Sequence, residues 1–257
     1  MKEKTLILCL IIAFFNISLT AQEVDKTLWK KALKIHQDVL VIDTHAHGLI
    51  SRRDKDTGNK RDTSQVDLVL MKQGGTDAVF FSLPIEDNPD EKISKRVSKS
   101  AAFVRDQLQR DVIKESKGPV VASHSNTRSL VNISRNIPDD ILKKIAEKGG
   151  AVMVTFDSGM LSSDYHPPSK ERAPIGILID HIDHVAKLVG TDHVGIGSDF
   201  MGSGINSPKG LETAAGFPLI TYHLLKRGYT EDDIRKIMGG NLLRVLKTVQ
   251  GKSTRRK

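Results

Sequence analysis

The chain has 257 residues, a formal net charge of +8 and a single cysteine, Cys9. Its basic excess is scattered, with local runs only at 51–61 and 252–257, and it has one Trp and three Tyr, so the interleaved basic and aromatic residues of a nucleic-acid surface are missing and nucleic acid is not an expected partner. Because Cys9 falls inside an N-terminal apolar run, the rest of the chain offers no disulfide, thiolate metal ligand or cysteine nucleophile.

That N-terminal run has the layout of a cleaved export signal. Lys2 and Lys4 precede an apolar stretch from Leu6 to Phe15, and the small-residue sequence LTAQ follows, with cleavage expected after Ala21. The apolar stretch is shorter than the roughly 20 residues that cross a bilayer. The expected organisation is a signal over 1–21, one β/α domain over 22–250 and a basic tail over 251–257, in a secreted or periplasmic protein.

Next comes an amphipathic helix, DKTLWKKALKIHQDVL, with Leu28, Ala32 and Leu33 at helical spacing. A first strand is expected over 39–45, running into VIDTHAHG. A charged loop (51–64) then leads to the helix SQVDLVLMKQGG, with Ser64 as N-cap and Gly74 and Gly75 as the stop. DAVFFSLPI (77–85) reads as a second strand closed by Pro84, and 91–116 has helical spacing. GPVVASHSN (118–126) reads as a third strand, ending in a histidine. The helix IPDDILKKIAEKGG opens with Pro138 and two acidic residues and stops at Gly149. A fourth strand (149–156), a helix (176–190) and a fifth strand (192–200) follow. Thr230 and Asp233 form a capping box for the helix YTEDDIRKIM, and a last helix starts at Asn241.

Apolar strands separated by helices predict a parallel sheet buried on both faces, with the C-terminal ends of all strands on one edge. The polar residues gather at those ends: His45 and His47, His124, and Asp199. Residues i and i+2 of a strand face one way, so His45 and His47 can reach one ion together. Imidazoles and a carboxylate suit a catalytic zinc with an open position, whose bound water becomes a hydroxide nucleophile near neutral pH. Asp199 can both approach the metal and take the water's proton; its ordinary reading is a helix cap. Arg135, between a strand end and a helix start, can hold a substrate carboxylate or simply lie on the surface. His181 and His184, three apart on a helix, read as buried or surface histidines satisfied by partners. His193 opens its strand, and His36, His166 and His223 stand alone. GIGSDFMG lacks the third glycine of a dinucleotide fingerprint, and SHSN lacks a nucleophile elbow.

VVASHSNTRSLVNISRNIPDDILKKIAEKGGAVMVTF, HIDHVAKLVGTDHVGIGSDF, QVDLVLMKQGGTDAVFFSL and YTEDDIRKIMGGNLLRVL resemble the renal (membrane) dipeptidase family of zinc peptidases. The resemblance implies an α/β fold, a (β/α) barrel of amidohydrolase type, with a two-zinc centre that hydrolyses dipeptides. It implies His45 as a ligand of one zinc, His124 as a ligand of the other, Asp199 as the carboxylate that handles the proton, and Arg135 as the group that binds the substrate's carboxylate. Where the family has an aspartate two residues after its first histidine, this chain has His47. A bridging glutamate and two further histidines of the family have no counterpart, because about five of eight strands are readable and roughly three β/α units are missing after Gln107. Five strands cannot close such a barrel, so strands two and five are expected to become neighbours or to leave open edges. The expected cofactor is zinc, one or two ions, with a single zinc held by His45, His47, Asp199 and His124 as the reduced form. The expected partners are a small peptide and a further copy of the chain. The alternative is a degenerate homologue that binds without turnover.

Overall fold

The computed structural model describes residues 24–47, 65–82, 110–165, 171–202 and 206–254. The signal, the charged loop, Ser64, Pro84, His166 and most of 91–116 fall outside these stretches.

Helix α1 (Lys26–Asp38) is capped by Asp25, whose side chain accepts from the N–H of Thr27 and Leu28, and it buries Ala32, Ile35 and His36. Strand β1 (Ile42–Ala46) follows, then α2 (Leu68–Gly74). The cap of α2 is Asp67, accepting from Leu70 N–H at 2.8 Å, and Gly75 ends it at φ 62°. The helix starts later than expected because Gln65 is engaged elsewhere, its side chain accepting from Met201 N–H and donating to Ser207 Oγ.

Strand β2 (Ala78–Phe81) precedes a helical turn at 110–115 and the two-residue strand β3 (Val121–Ala122). β3 is far shorter than the stretch 118–126. Beyond Ala122 the chain leaves regular pairing, with Ser125 N–H bonding to Met153 O and Thr44 Oγ1 taking Ser123 O. Helix α3 (Asp139–Glu147) follows Pro138, with Asp139 and Asp140 in its first turn. It closes through Gly149 at φ 73°, where Gly149 and Gly150 N–H return to Ala146 and Ile145 carbonyls.

β4 (Ala151–Val154) is buried at every position, and α4 (Ser158–Leu161) is a single turn. α5 (Ile175–Val189) buries Leu178, Ile179, Ile182 and Val185, and β5 (Val194–Ile196) follows it. α6 (Phe217–Lys226) packs on α1, where Trp29 and Tyr222 meet edge to face at 5.7 Å. α7 (Glu231–Arg235) has the expected Thr230–Asp233 capping box. A π-turn over 236–240 joins it to α8 (Asn241–Thr254), which runs four residues into the stretch expected to be a tail.

All pairings are parallel. β1 pairs with β2, β4 lies between β3 and β5, and the bridge Ala46↔Phe200 links the two sheets. Among the described residues the order is therefore β2-β1-β5-β4-β3, an open arc of five strands. Strands two and five are not neighbours: β5 flanks β1, and β2 and β3 are the edges among the described strands. Phe156, Phe200 and Phe217, all fully buried, meet at ring separations of 5.5 to 6.2 Å beneath this junction.

Candidate metal centre

The C-terminal ends of β1, β3 and β5 converge, as a parallel arrangement requires. Phe200 O accepts from His47 N–H at 2.7 Å, and His45 O accepts from Asp199 N–H at 2.8 Å, so the β1 and β5 ends are stitched backbone to backbone. Thr44 Oγ1 lies 2.6 Å from Ser123 O and 2.9 Å from Ile196 O, sharing one proton between β3 and β5.

On this frame His45 Nε2 lies 3.3 Å from His47 Nε2 and 3.8 Å from Asp199 Oδ1, and His47 Nε2 lies 3.1 Å from the same oxygen. With metal–ligand bonds of about 2.1 Å, the ligand atoms of a tetrahedral zinc are about 3.4 Å apart. The triangle of His45, His47 and Asp199 matches that spacing. His124 stacks on His45 at 3.7 Å between centroids, and donor atoms of His45, His124 and Asp199 lie within 4.8 Å of one another. The donor set, imidazoles with one carboxylate, fits zinc.

Burial first, and then His47 and Arg135, lower the pKa of His45. Burial, with His45 and Arg135, brings His124 down to about 4. Both imidazoles are thus held neutral, the form that ligates. Burial raises the Asp199 carboxyl, opposed by His47 and Arg135. Arg135 Nη2 is 3.4 Å from His124 Nε2, at the exposed end of the loop that returns from β3 to α3. Ser125 Oγ donates to Arg135 O, tying the two ends of that loop. Beside them a cavity of about 500 Å³ has His124 and Arg135 at its polar end and Val121, Ile137, Ile141 and Ile145 along its wall.

The structure therefore brings together all five residues singled out in the sequence. It leaves the other described histidines away from the site. His181 is buried between Thr127 and Leu161 O, His184 pairs with Asp139 at 2.8 Å, His36 bridges Thr221 and Gly74 O, and His193 meets Gly150 O at the opposite strand end. Two residues escaped the sequence reading. Ser123 Oγ lies 3.3 Å from His45 Nδ1 and 3.1 Å from His124 Nδ1, and so orients both rings. Asp43 is 1% exposed and accepts from Ser198 N–H at 2.8 Å, Ser198 O–H at 2.5 Å and His45 N–H at 3.2 Å. Burial pushes its carboxyl up to about 6 against those bonds. The available signal was an acidic residue in a strand buried on both faces, two positions before a histidine.

Fold and site together define a parallel β/α protein with a histidine–carboxylate cluster at its C-terminal strand ends, spaced as metal ligands would be. A profile for membrane dipeptidases (Peptidase family M19) matches residues 101–257, and the chain belongs to that family. The matched stretch holds His124, Arg135 and Asp199; His45 and His47 precede it. Dipeptidase 3 of Homo sapiens is 35% identical over 149 residues, 58% of this chain and 29% of the relative. Dipeptidase 3 of Rattus norvegicus is 37% identical over 145 residues, 56% of this chain and 28% of the relative. The chain thus spans less than a third of the length of these curated relatives.

Among solved structures, a metallopeptidase described as dipeptidase AC is 31% identical, with a TM-score of 0.50 over 55% of this chain and 39% of that one. Two others share the fold at lower identity. The probable dipeptidase PvdM from Pseudomonas aeruginosa has a TM-score of 0.69 at 19% identity, covering 88% of this chain and 99% of that one. A metallopeptidase from Rhodobacter sphaeroides, bound to a phosphinate mimic of L-Ala-D-Ala, has 0.67 at 18%, covering 82% and 99%.

Proposed function

We propose that this chain is a zinc-dependent dipeptidase, exported from the cell, that binds its metal through His45, His47 and Asp199 with His124 alongside. The triangle of 3.1, 3.3 and 3.8 Å among the first three carries the reading. When bound there, zinc supplies the Lewis acidity that makes a water nucleophilic near neutral pH.

The chain's own groups do the rest. Asp199, whose carboxylate faces both His45 and His47, is placed to take a proton from the attacking water and return it to the leaving amine. Arg135 pairs its exposed guanidinium with the substrate's C-terminal carboxylate, and its distance of 3.4 Å from His124 sets that carboxylate beside the metal pocket. The cavity next to both residues gives the peptide's side chain an apolar wall.

The test is zinc content by elemental analysis of dialysed full chain, followed by a dipeptide cleavage panel. About one zinc per chain, with cleavage lost on chelation and in Asp199→Ala, is expected. Folded protein without zinc would overturn the metal reading, and zinc without turnover would leave a binding-only homologue.

A further inference from the structure

We infer that Asp43 is a positioning residue for the metal pocket: with Ser198 as its intermediary, it holds Asp199 in the left-handed backbone conformation that aims the Asp199 carboxylate at His45 and His47. The inference rests on the metal reading proposed above and deepens it.

Asp199 has φ 60°, a conformation that side chains with a Cβ avoid unless their surroundings impose it. What imposes it is a set of bonds on both of its flanks. On one side, Ser198 N–H donates to Asp43 Oδ1 at 2.8 Å. On the other, Phe200 N–H donates to Ser198 Oγ at 3.1 Å, while that hydroxyl donates to Asp43 Oδ2 at 2.5 Å. Both neighbours of Asp199 are therefore fixed through one serine to one carboxylate. The same carboxylate accepts the N–H of His45, a candidate ligand from the other strand, at 3.2 Å. Asp43 thus sets β1 and β5 relative to each other at the point where their ligands meet.

The turn leaves no slack to replace this control. A Cβ at Gly202 would lie 2.2 Å from Asp199 Oδ1 and 2.5 Å from the His47 ring, so the chain folds directly over the pocket. Without Asp43, the Ser198 N–H loses its acceptor in a dry site and the hydroxyl keeps only its longer bond to His45 O at 3.3 Å. Asp199 then keeps its own backbone bonds to His45 O and Gly202 N–H but loses the hold that Asp43 exerts on its flanks, and its carboxylate shifts away from His47. Groups that orient metal ligands in this way typically change metal affinity by about 10- to 100-fold when removed.

The experiment measures zinc affinity by chelator competition on the folded full chain, for wild type, Asp43→Ala, Ser198→Ala and Asp43→Asn. It is paired with amide hydrogen exchange over 197–202 in metal-free protein. Asp43→Ala and Ser198→Ala are expected to weaken zinc by about 10- to 100-fold and to speed exchange in that segment. Asp43→Asn keeps an acceptor for Ser198 N–H and should stay within a few-fold of wild type. Zinc affinity in a folded Asp43→Ala protein within twofold of wild type would overturn the inference; if that protein does not fold, Ser198→Ala decides by the same criterion. Should wild type itself take up no zinc, the metal reading fails separately, and unchanged exchange over 197–202 in Asp43→Ala or Ser198→Ala would then overturn the clamp.

Discussion

Gly197, just after β5, packs against Ser123 and against Thr44 of β1, and replacing it by alanine should damage fold and site together. An added Cβ would lie 2.0 Å from Ser123 O and 2.7 Å from Thr44 Oγ1, where ordinary contact begins at about 3.4 Å. The nearest atom is backbone, so relief needs a movement of about 1.4 Å between β5 and the end of β3. Thr44 Oγ1 bonds both Ser123 O and Ile196 O across this gap, and the shift breaks that bridge. Overpacking of this kind costs about 3 kcal/mol. In a chain of this size that lowers the thermal midpoint by roughly 6 to 12 °C. The same movement carries Ser123 and His124 away from His45 and Asp199. Calorimetry and zinc titration of Gly197→Ala are the assays. A midpoint within about 1 °C of wild type and unchanged zinc binding would refute the reasoning.

Three further outcomes are expected. His181 is fully buried and its Nδ1 lies against the N–H of Thr127, with burial the main cause of its lowered pKa. Its folded value therefore lies below the ordinary 6.5, the unfolded chain binds the extra proton, and stability falls as pH drops below about 6.5 until the folded value is reached. In thermal melts from pH 7.5 to 5 with chelator present, His181→Gln should show a shallower fall than wild type, by up to about 1.4 kcal/mol per pH unit; an identical slope would contradict this. Asp183, 8% exposed, accepts from Arg227 Nη1 at 2.5 Å and Tyr229 O–H at 2.8 Å, so Asp183→Ala should cost about 2 kcal/mol in urea unfolding without changing zinc content. Arg135→Met should raise KM for dipeptides by about tenfold or more with a small change in kcat, and should lose the preference for a free carboxylate over its amide. A fall in kcat at constant KM would place Arg135 in the chemistry instead.

Much of the site was legible in the chain because strands and helices carry local periodicities. Alternation puts His45 and His47 on one face, apolar strands separated by helices predict parallel order, and parallel order predicts that His124 and Asp199 end at the same edge. Capping at Thr230 and closure at Gly149 are equally local and appear as expected. Asp67 caps α2, and the chain at Gln65 is held out of the helix by distant groups, Met201 and Ser207, that local spacing does not reveal.

Residue type and order by themselves determined a β/α chain with histidines and a carboxylate at strand ends, and resemblance to known sequences pointed to the dipeptidase family. Only the tertiary structure decided that β5 flanks β1 and that β2 and β3 lie at the edges among the described strands, since which strands pair depends on contacts far apart in sequence. It also decided that His47 Nε2 lies 3.3 Å from His45 Nε2 and 3.1 Å from Asp199 Oδ1, and that Asp43 accepts from Ser198. A buried carboxylate's role is fixed by the donors that close around it. For Asp43 those donors come mainly from Ser198, a residue 155 positions away.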